Sequence, residues 1–210
     1  MSLKTLPSFE ETAESRLFFL DLESRPDWND VFQNDRPLKL EIGFGYGSFL
    51  MEMAIREPEN NFIGIEMFHK GIRKVVARAE RLLLKNIRIV YGDAREKVPL
   101  IFNDNELREV YVNFPDPWPK KRHAKRRLIS PRFARELASK LERNGALRLA
   151  TDSESYAEHM LTCCEAERGL RNKSGRLTFL DTRDSVPKSK YEKNFLRTGE
   201  KIFYLDFVKE

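Results

Sequence analysis

Several classes are closed to this 210-residue chain by what it lacks. No apolar stretch approaches the ~20 residues that a membrane-crossing helix needs. Its two cysteines, Cys163 and Cys164, are adjacent, which suits neither a loop-closing disulfide nor a four-ligand zinc site. No metal is therefore expected, and a reducing cytosol is the expected compartment. Met1-Ser2-Leu3-Lys4 leads into acidic residues, without the charged start and apolar core of a secretion signal. The glycine-rich run Gly43-Phe44-Gly45-Tyr46-Gly47 has Ser48 where a dinucleotide-binding fingerprint needs its third glycine. A hydride-transfer cofactor thus fits poorly, and no lysine follows to hold a phosphate chain. Neither sign of charge dominates: 38 Lys and Arg against 33 Asp and Glu give a net +5 and a pI near 9.2. Where the cations cluster matters more than their sum.

What is present reads as strand and helix in alternation. Leu38 to Ile42, Phe62 to Glu66, Ile87 to Tyr91, Leu107 to Asn113 and Ala146 to Thr151 are short apolar runs of buried-strand character. Helices are predicted from Ser48, as N-cap, to before Pro58, and over His69 to Lys85, Pro131 to Arg143 and Ser153 to Arg168. Two further strand-like runs, Leu177 to Asp181 and Ile202 to Val208, flank a polar loop holding Pro187, Lys190 and Tyr191, with no helix between them. The pattern predicts an α/β, Rossmann-like fold with a mostly parallel central sheet, helices on both faces and an antiparallel C-terminal edge strand. Residues 37–210 are expected to form one domain after a segment, 1–36, of uncertain structure. No oligomeric state is predicted.

The most informative run is Asn113-Phe114-Pro115-Asp116-Pro117-Trp118-Pro119, followed at once by a dense cationic segment. Pro115 and Pro117 fix their own φ angles and push the residues before them toward extended geometry, which should hold Asp116 in place. Lys120, Lys121, Arg122, Lys125, Arg126 and Arg127 put six cations in eight residues around His123. Such a run repels itself unless an anionic partner is bound, although a solvated basic loop is the plainer alternative. The position past the fourth strand is where open α/β sheets place their ligands. This reads as a catalytic loop joined to a nucleic-acid contact. Glu41, Glu66 and Asp93 end the three preceding strands. The glycines let a backbone approach a ligand, Glu66 can accept both hydroxyls of a ribose, and Asp93 can accept from an exocyclic amine. A nucleoside without a phosphate chain, such as S-adenosylmethionine, meets these requirements. Each acid alone is more often a helix cap or a surface charge; four at successive strand ends make a pattern.

Over Leu38 to Val208 the chain resembles the bacterial-type tRNA (guanine-N7)-methyltransferases, which are class I S-adenosylmethionine-dependent enzymes. The resemblance rests on Glu41 with Gly43, Gly45 and Gly47, on Glu66, Gly92-Asp93-Ala94, the loop from Pro115 to Arg127, Thr151-Asp152 and Ser189-Lys190-Tyr191-Glu192. It implies cofactor contacts from Glu41, Gly43, Gly45, Gly47, Glu66, Asp93, Ala94 and Asp116, with Asp116 catalytic. It also implies substrate contacts from Lys120, Asp152, Ser189, Lys190, Tyr191 and Glu192. The basic run, Lys121, Arg122, His123, Lys125, Arg126 and Arg127, would then meet tRNA. Ser189 stands where the family more often has Thr, which keeps the hydroxyl. Trp118 is left between stacking on a base and packing the loop. Two rival readings remain open. One is an amino-group methyltransferase acting on adenine or cytosine, whose acidic-Pro-Pro-aromatic loop would need a second proline where Trp118 stands. The other is a non-enzymatic RNA-binding protein on the same fold.

Overall fold

The run Leu38–Ile42 is buried at all five positions, as a strand covered on both faces requires. In the computed structural model, which describes residues 18–184 and 186–210, the chain divides into two compact units, one ending at Phe102 and the other starting at Asn103. The first unit holds β1 (Phe19–Leu20), β2 (Leu38–Ile42), β3 (Asn61–Glu66) and β4 (Ile87–Tyr91), in the spatial order β1-β4-β3-β2 and all parallel. Its helices are α1 (Trp28–Phe32), α2 (Ser48–Arg56), α3 (His69–Arg81) and α4 (Ala94–Ile101). Of the segment before Pro37, residues 1–17 lie outside the described residues. The remainder is anchored: Trp28 is buried, donates from Nε1 to the Ile101 carbonyl at 3.1 Å, and stacks on Phe102 at 5.5 Å.

Two boundaries and one helix in this unit differ from the sequence reading. Helix α2 is capped by Gly47, not Ser48, because Gly47 takes the left-handed conformation (φ 69°) and its carbonyl accepts from Met51 N. A side chain there would collide with Val75. Helix α3 stops at Arg81 instead of Lys85: Leu83 turns left-handed (φ 51°) and Leu84 N closes on the Ala79 carbonyl. Leu82 and Leu83 are exposed, so their helical spacing gave a false extension. Helix α4 was not expected, since Pro99 lies inside it; Val98 and Ile101 nevertheless bury one face, and Asp93 caps it.

The second unit orders its strands β5-β6-β8-β7, namely β5 (Leu107–Asn113), β6 (Leu141–Thr151), β7 (Leu170–Asn172) and β8 (Phe203–Lys209). β5 and β6 are parallel, whereas β8 runs antiparallel to both β6 and β7, as expected of the C-terminal edge. Helices α5 (Pro131–Lys140) and α6 (Glu154–Glu165) precede α7 (Lys190–Thr198). Helix α5 ends three residues before Arg143 because Leu141 turns into the sheet, and a bulge at residues 142–145 sets the register from Ala146 onward. Leu177 to Asp181 is not a strand: only Leu180 bridges to Tyr204, while the short partner of β8 is Leu170–Asn172. The supposed polar loop around Lys190 is helix α7.

Helix α3 crosses the glycine run so closely that a Cβ on Gly71 would strike the Gly45 carbonyl oxygen, a backbone atom that cannot rotate away. Gly71→Ala should therefore cost roughly 1–3 kcal/mol, the range for overpacking. The expected result in urea unfolding is a lower midpoint with an unchanged slope; an unmoved midpoint would show that the loop yields freely.

Candidate active site

In the first unit the parallel register brings the carboxyl ends of three strands to one edge. Ile42 lies beside Ile65 and Glu66 beside Tyr91, and Gly43 N and Gly92 N bond the Ile65 and Glu66 carbonyls at 2.9 and 3.1 Å. Glu41, Glu66 and Asp93 consequently lie at neighbouring strand ends, with Gly43, Gly45 and Gly47 following the first. Glu41 is buried. The Glu66 carboxylate is held rigidly: Oε2 accepts from Gly45 N at 2.7 Å, and Oε1 accepts from Met67 N and Phe68 N at 2.6 and 2.9 Å. Two bonds fill the lone pairs of Oε1, whereas Oε2, with one, keeps a site for a further donor. At Gly43 (φ 73°) and Gly45 (φ 54°) nothing lies within 4 Å of where a Cβ would stand. That open backbone cradle beside a fixed carboxylate suits a nucleoside whose ribose seeks an acceptor. Asp93 is occupied differently. It caps α4 through Arg95 N and chelates the Arg95 guanidinium at 2.6 Å, a bond that holds its carboxyl below the ordinary range. Ala94 is buried behind it.

In the second unit β5 ends at Asn113, and the chain leaves it through a strained turn. Phe114 (φ 52°) and Trp118 (φ 43°) both take the left-handed conformation, each at a cost of order 1–3 kcal/mol for a bulky residue. Between them Pro115 and Pro117 flank an exposed Asp116. Three contacts keep the turn in place. Phe114 N donates to the Ala150 carbonyl at 2.8 Å, Phe114 stacks on Phe195 at 5.6 Å, and Arg127 Nε donates to the Pro117 carbonyl at 2.9 Å. The basic run that follows is a 3₁₀ helix, Lys121–Arg126. Lys120, Arg122, Lys125 and Arg126 are exposed; the side chain of Lys121 lies outside the described residues. Trp118 is half-buried, packed edge-on to His123 at 5.9 Å with the Arg126 guanidinium 5.0 Å from its ring. Arg127 is engaged inside the fold, over Tyr156 at 5.0 Å and on the Ser155 carbonyl at 3.3 Å. Asp152, past the end of β6, is exposed.

The segment Ser189 to Glu192 divides into two outward and two inward side chains. Lys190 and Tyr191 are exposed. Ser189 and Glu192 form a capping box that starts α7, with Ser189 Oγ accepting from Glu192 N at 3.1 Å and Glu192 Oε2 from Ser189 N at 3.2 Å. The Ser189-x-x-Glu192 spacing is a sequence-level signal for that helix start. Glu192 is fully buried and accepts from Tyr204 Oη at 2.7 Å. Burial, followed by that bond, pushes the Tyr204 phenol up. Arg183 completes the group: it is buried, donates to Asn113 Oδ1 at 2.8 Å, lies 3.7 Å from Glu192 Oε2, and faces the Tyr204 ring at 5.3 Å. Arg183 and Tyr204 escaped the sequence reading, and Asn113 entered it only as the end of a strand. A buried arginine in a polar stretch leaves no periodic trace. Among the described residues no group of His, Cys, Asp or Glu could hold a metal ion, and no helix is long and apolar enough to cross a membrane.

Residues 35–205 match a family model described as "Putative methyltransferase". The tRNA (guanine-N(7)-)-methyltransferase of Alkalilimnicola ehrlichii is 42% identical over 183 residues, covering 87% of this chain and 77% of that protein. The chain belongs to the tRNA (guanine-N7)-methyltransferase family. Another member, from Idiomarina loihiensis, is 41% identical over 189 residues, 90% of this chain and 77% of its own. The fold is similar to that of a solved S-adenosylmethionine-dependent methyltransferase from Aquifex aeolicus, with a TM-score of 0.57 at 13% identity over 83% of this chain and 82% of that one.

The buried Arg183–Glu192 pair ties the base of the Pro-Asp-Pro turn, through Asn113, to the start of α7. Removing Arg183 leaves the buried carboxylate with only Lys188 Nζ, 3.9 Å from Oε1, as counter-charge among the described residues, so Arg183→Met should cost toward the lower end of roughly 3–5 kcal/mol. Adding Glu192→Gln should recover part of that loss, because the stranded carboxylate is gone. A double-mutant cycle by urea unfolding measures the coupling; strictly additive losses would show the two side chains to be independent.

Proposed function

We propose that this chain transfers the methyl group of S-adenosyl-L-methionine to N7 of a tRNA guanine, the variable-loop base at position 46. The reading treats residues 37–210 as one catalytic domain working in the cytosol. The observation that carries it is the strained turn that presents Asp116, exposed between two prolines, directly before a cationic 3₁₀ helix. Membership of the family supplies the substrate class. The cofactor brings an electrophilic sulfonium methyl: the N7–methyl bond forms as the sulfur–methyl bond breaks, and sulfur keeps the electron pair.

On this reading Glu41, Gly43, Gly45 and Gly47 hold the nucleoside backbone-first, and Glu66 accepts from the ribose hydroxyls through the remaining lone pair of Oε2. Asp93, whose two oxygens both accept from Arg95, meets an amine by exchanging one of those bonds, while Ala94 lines the same strand end. Guanine N7 has an in-plane lone pair and no proton, so no general base is needed before attack. Rate acceleration then comes mainly from alignment, worth up to ~7–11 kcal/mol in well-oriented systems. The base becomes cationic as it is methylated, and the Asp116 carboxylate stabilises that charge as it develops. Asp116 or Asp152 also accepts from the N1 and N2 donors of guanine, which adenine cannot match. Lys120, Arg122, Lys125 and Arg126 meet phosphates, with His123 beside them, and the base must be exposed from folded tRNA before it reacts. Lys190 and Tyr191 offer the outward contacts of α7, positioned by Ser189 and Glu192.

Labelled cofactor and bulk tRNA test the reaction. The label is expected on guanine N7 when the modified base is mapped; label on an exocyclic amine would favour the adenine or cytosine alternative, and none at all would favour RNA binding without catalysis. The role of Asp116 has its own measurement. Asp116→Asn keeps shape and removes charge, so single-turnover transfer at saturating substrates should fall roughly 10²–10³-fold while tRNA affinity changes little. Asp116→Ala should fall further. Near-normal rates in both variants would reduce Asp116 to a turn residue.

A further inference from the structure

The first unit keeps aromatic surface open beside its glycine run. Tyr46, between Gly45 and Gly47, is 49% exposed, and Phe68, two residues past Glu66, is 40% exposed. Their rings meet edge to face at 5.2 Å and 88°, and Lys74 Nζ stands 5.2 Å from the centre of the Tyr46 ring. Lys74 belongs to α3, whose exposed positions are Lys70, Lys74, Ala77, Arg78 and Arg81: four cations, one alanine and no acid. Lys70, Lys74 and Arg78 are four residues apart, so they form a row with about 6 Å between neighbours. Like charges at that spacing destabilise a helix on their own, and a polyanion laid along the row removes the penalty. Glu80 and Arg73, both half-buried, lie off the exposed face.

Open aromatic faces next to a cationic track are the means by which proteins hold single-stranded nucleic acid: bases stack, and phosphates follow the charge. A membrane surface would ask for a broad apolar face on the helix, and the open face of α3 offers only Ala77. We propose that Tyr46 and Phe68, with Lys70, Lys74, Arg78 and Arg81, form a tRNA-contact surface of the first unit, on which an unpaired base stacks while the strand runs along α3. This rests on the reading of the chain as a tRNA methyltransferase and adds where the first unit grips its substrate.

Binding of bulk tRNA to the full chain across a salt series tests the surface. Lys70→Gln with Arg78→Gln should make the slope of log affinity against log salt shallower by about 1.4–1.8, two phosphate contacts' worth. Tyr46→Ala should weaken binding roughly 5- to 140-fold with the slope unchanged, since stacking does not release counterions. Tyr46→Phe keeps the ring and should bind like the wild type, which separates stacking from any contact made by the hydroxyl. An unmoved slope in the first variant together with unmoved affinity in Tyr46→Ala overturns the surface and leaves the tRNA reading standing. Failure of the wild type to bind tRNA at all overturns both, and the two results are distinguishable.

Discussion

Parallel strand pairing is the constraint from which the rest follows. When β2, β3 and β4 pair in register, their carboxyl ends must lie along one edge, so residues far apart in sequence, Glu41, Glu66 and Asp93, become neighbours. The same rule acts in the second unit, where Asn113 pairs with Ala150 and the chain beyond each strand carries Asp116 and Asp152. Side chains inside these strands are committed to burial; those just past their ends are not. Chemistry therefore collects where the ladder hydrogen bonds stop.

Holding a reactive turn at such an edge takes more than two prolines. Phe114 and Trp118 sit in a backbone region that costs a bulky residue free energy, and the surroundings must offset it. Phe195 stacks on Phe114, Arg127 ties down the Pro117 carbonyl, and Arg183 fixes the Asn113 side chain at the base of the turn. Arg183 in turn faces Glu192, which caps α7 and accepts from Tyr204. A buried ion pair of this kind contributes little net stability compared with an apolar substitute, but leaves few alternative arrangements once formed. Its value here is geometric: the turn and the start of α7 are set by one group of side chains.

Cations divide by role once their surroundings are known. Arg127 and Arg183 are spent inside the second unit, on carbonyls, an amide and a carboxylate. Arg88 does the same in the first, donating to the Lys85, Ile87 and Val31 carbonyls while burial lowers its pKa to about 10. Among the cations left outward, Lys120, Arg122, Lys125 and Arg126 in one unit and the row Lys70, Lys74 and Arg78 in the other lie on short or helical segments with no acid interleaved. A net charge of only +5 is thus compatible with strongly cationic local surfaces.

Alternation of apolar runs with helical spacing determined the α/β class, the five main strands and the acids at their ends, because burial of parallel strands writes itself into composition. The Pro-Asp-Pro turn with its basic run was equally legible, since proline and charge act locally. Elsewhere local signals misled. Leu82 and Leu83 kept helical spacing past a left-handed stop, Pro99 hid a helix whose other face is buried, and Leu177 to Asp181 looked like a strand although β8 already had a partner in Leu170–Asn172. Ser189 and Glu192 have capping-box spacing in a stretch that reads as a polar loop, and only the packed unit shows the helix there, with Glu192 turned inward onto Tyr204 and Arg183. Local propensity is a property of a few neighbouring residues. Which polar side chain is buried, and against what, depends on residues dozens of positions away, as with Arg183 and Asn113, and tertiary structure alone decides it.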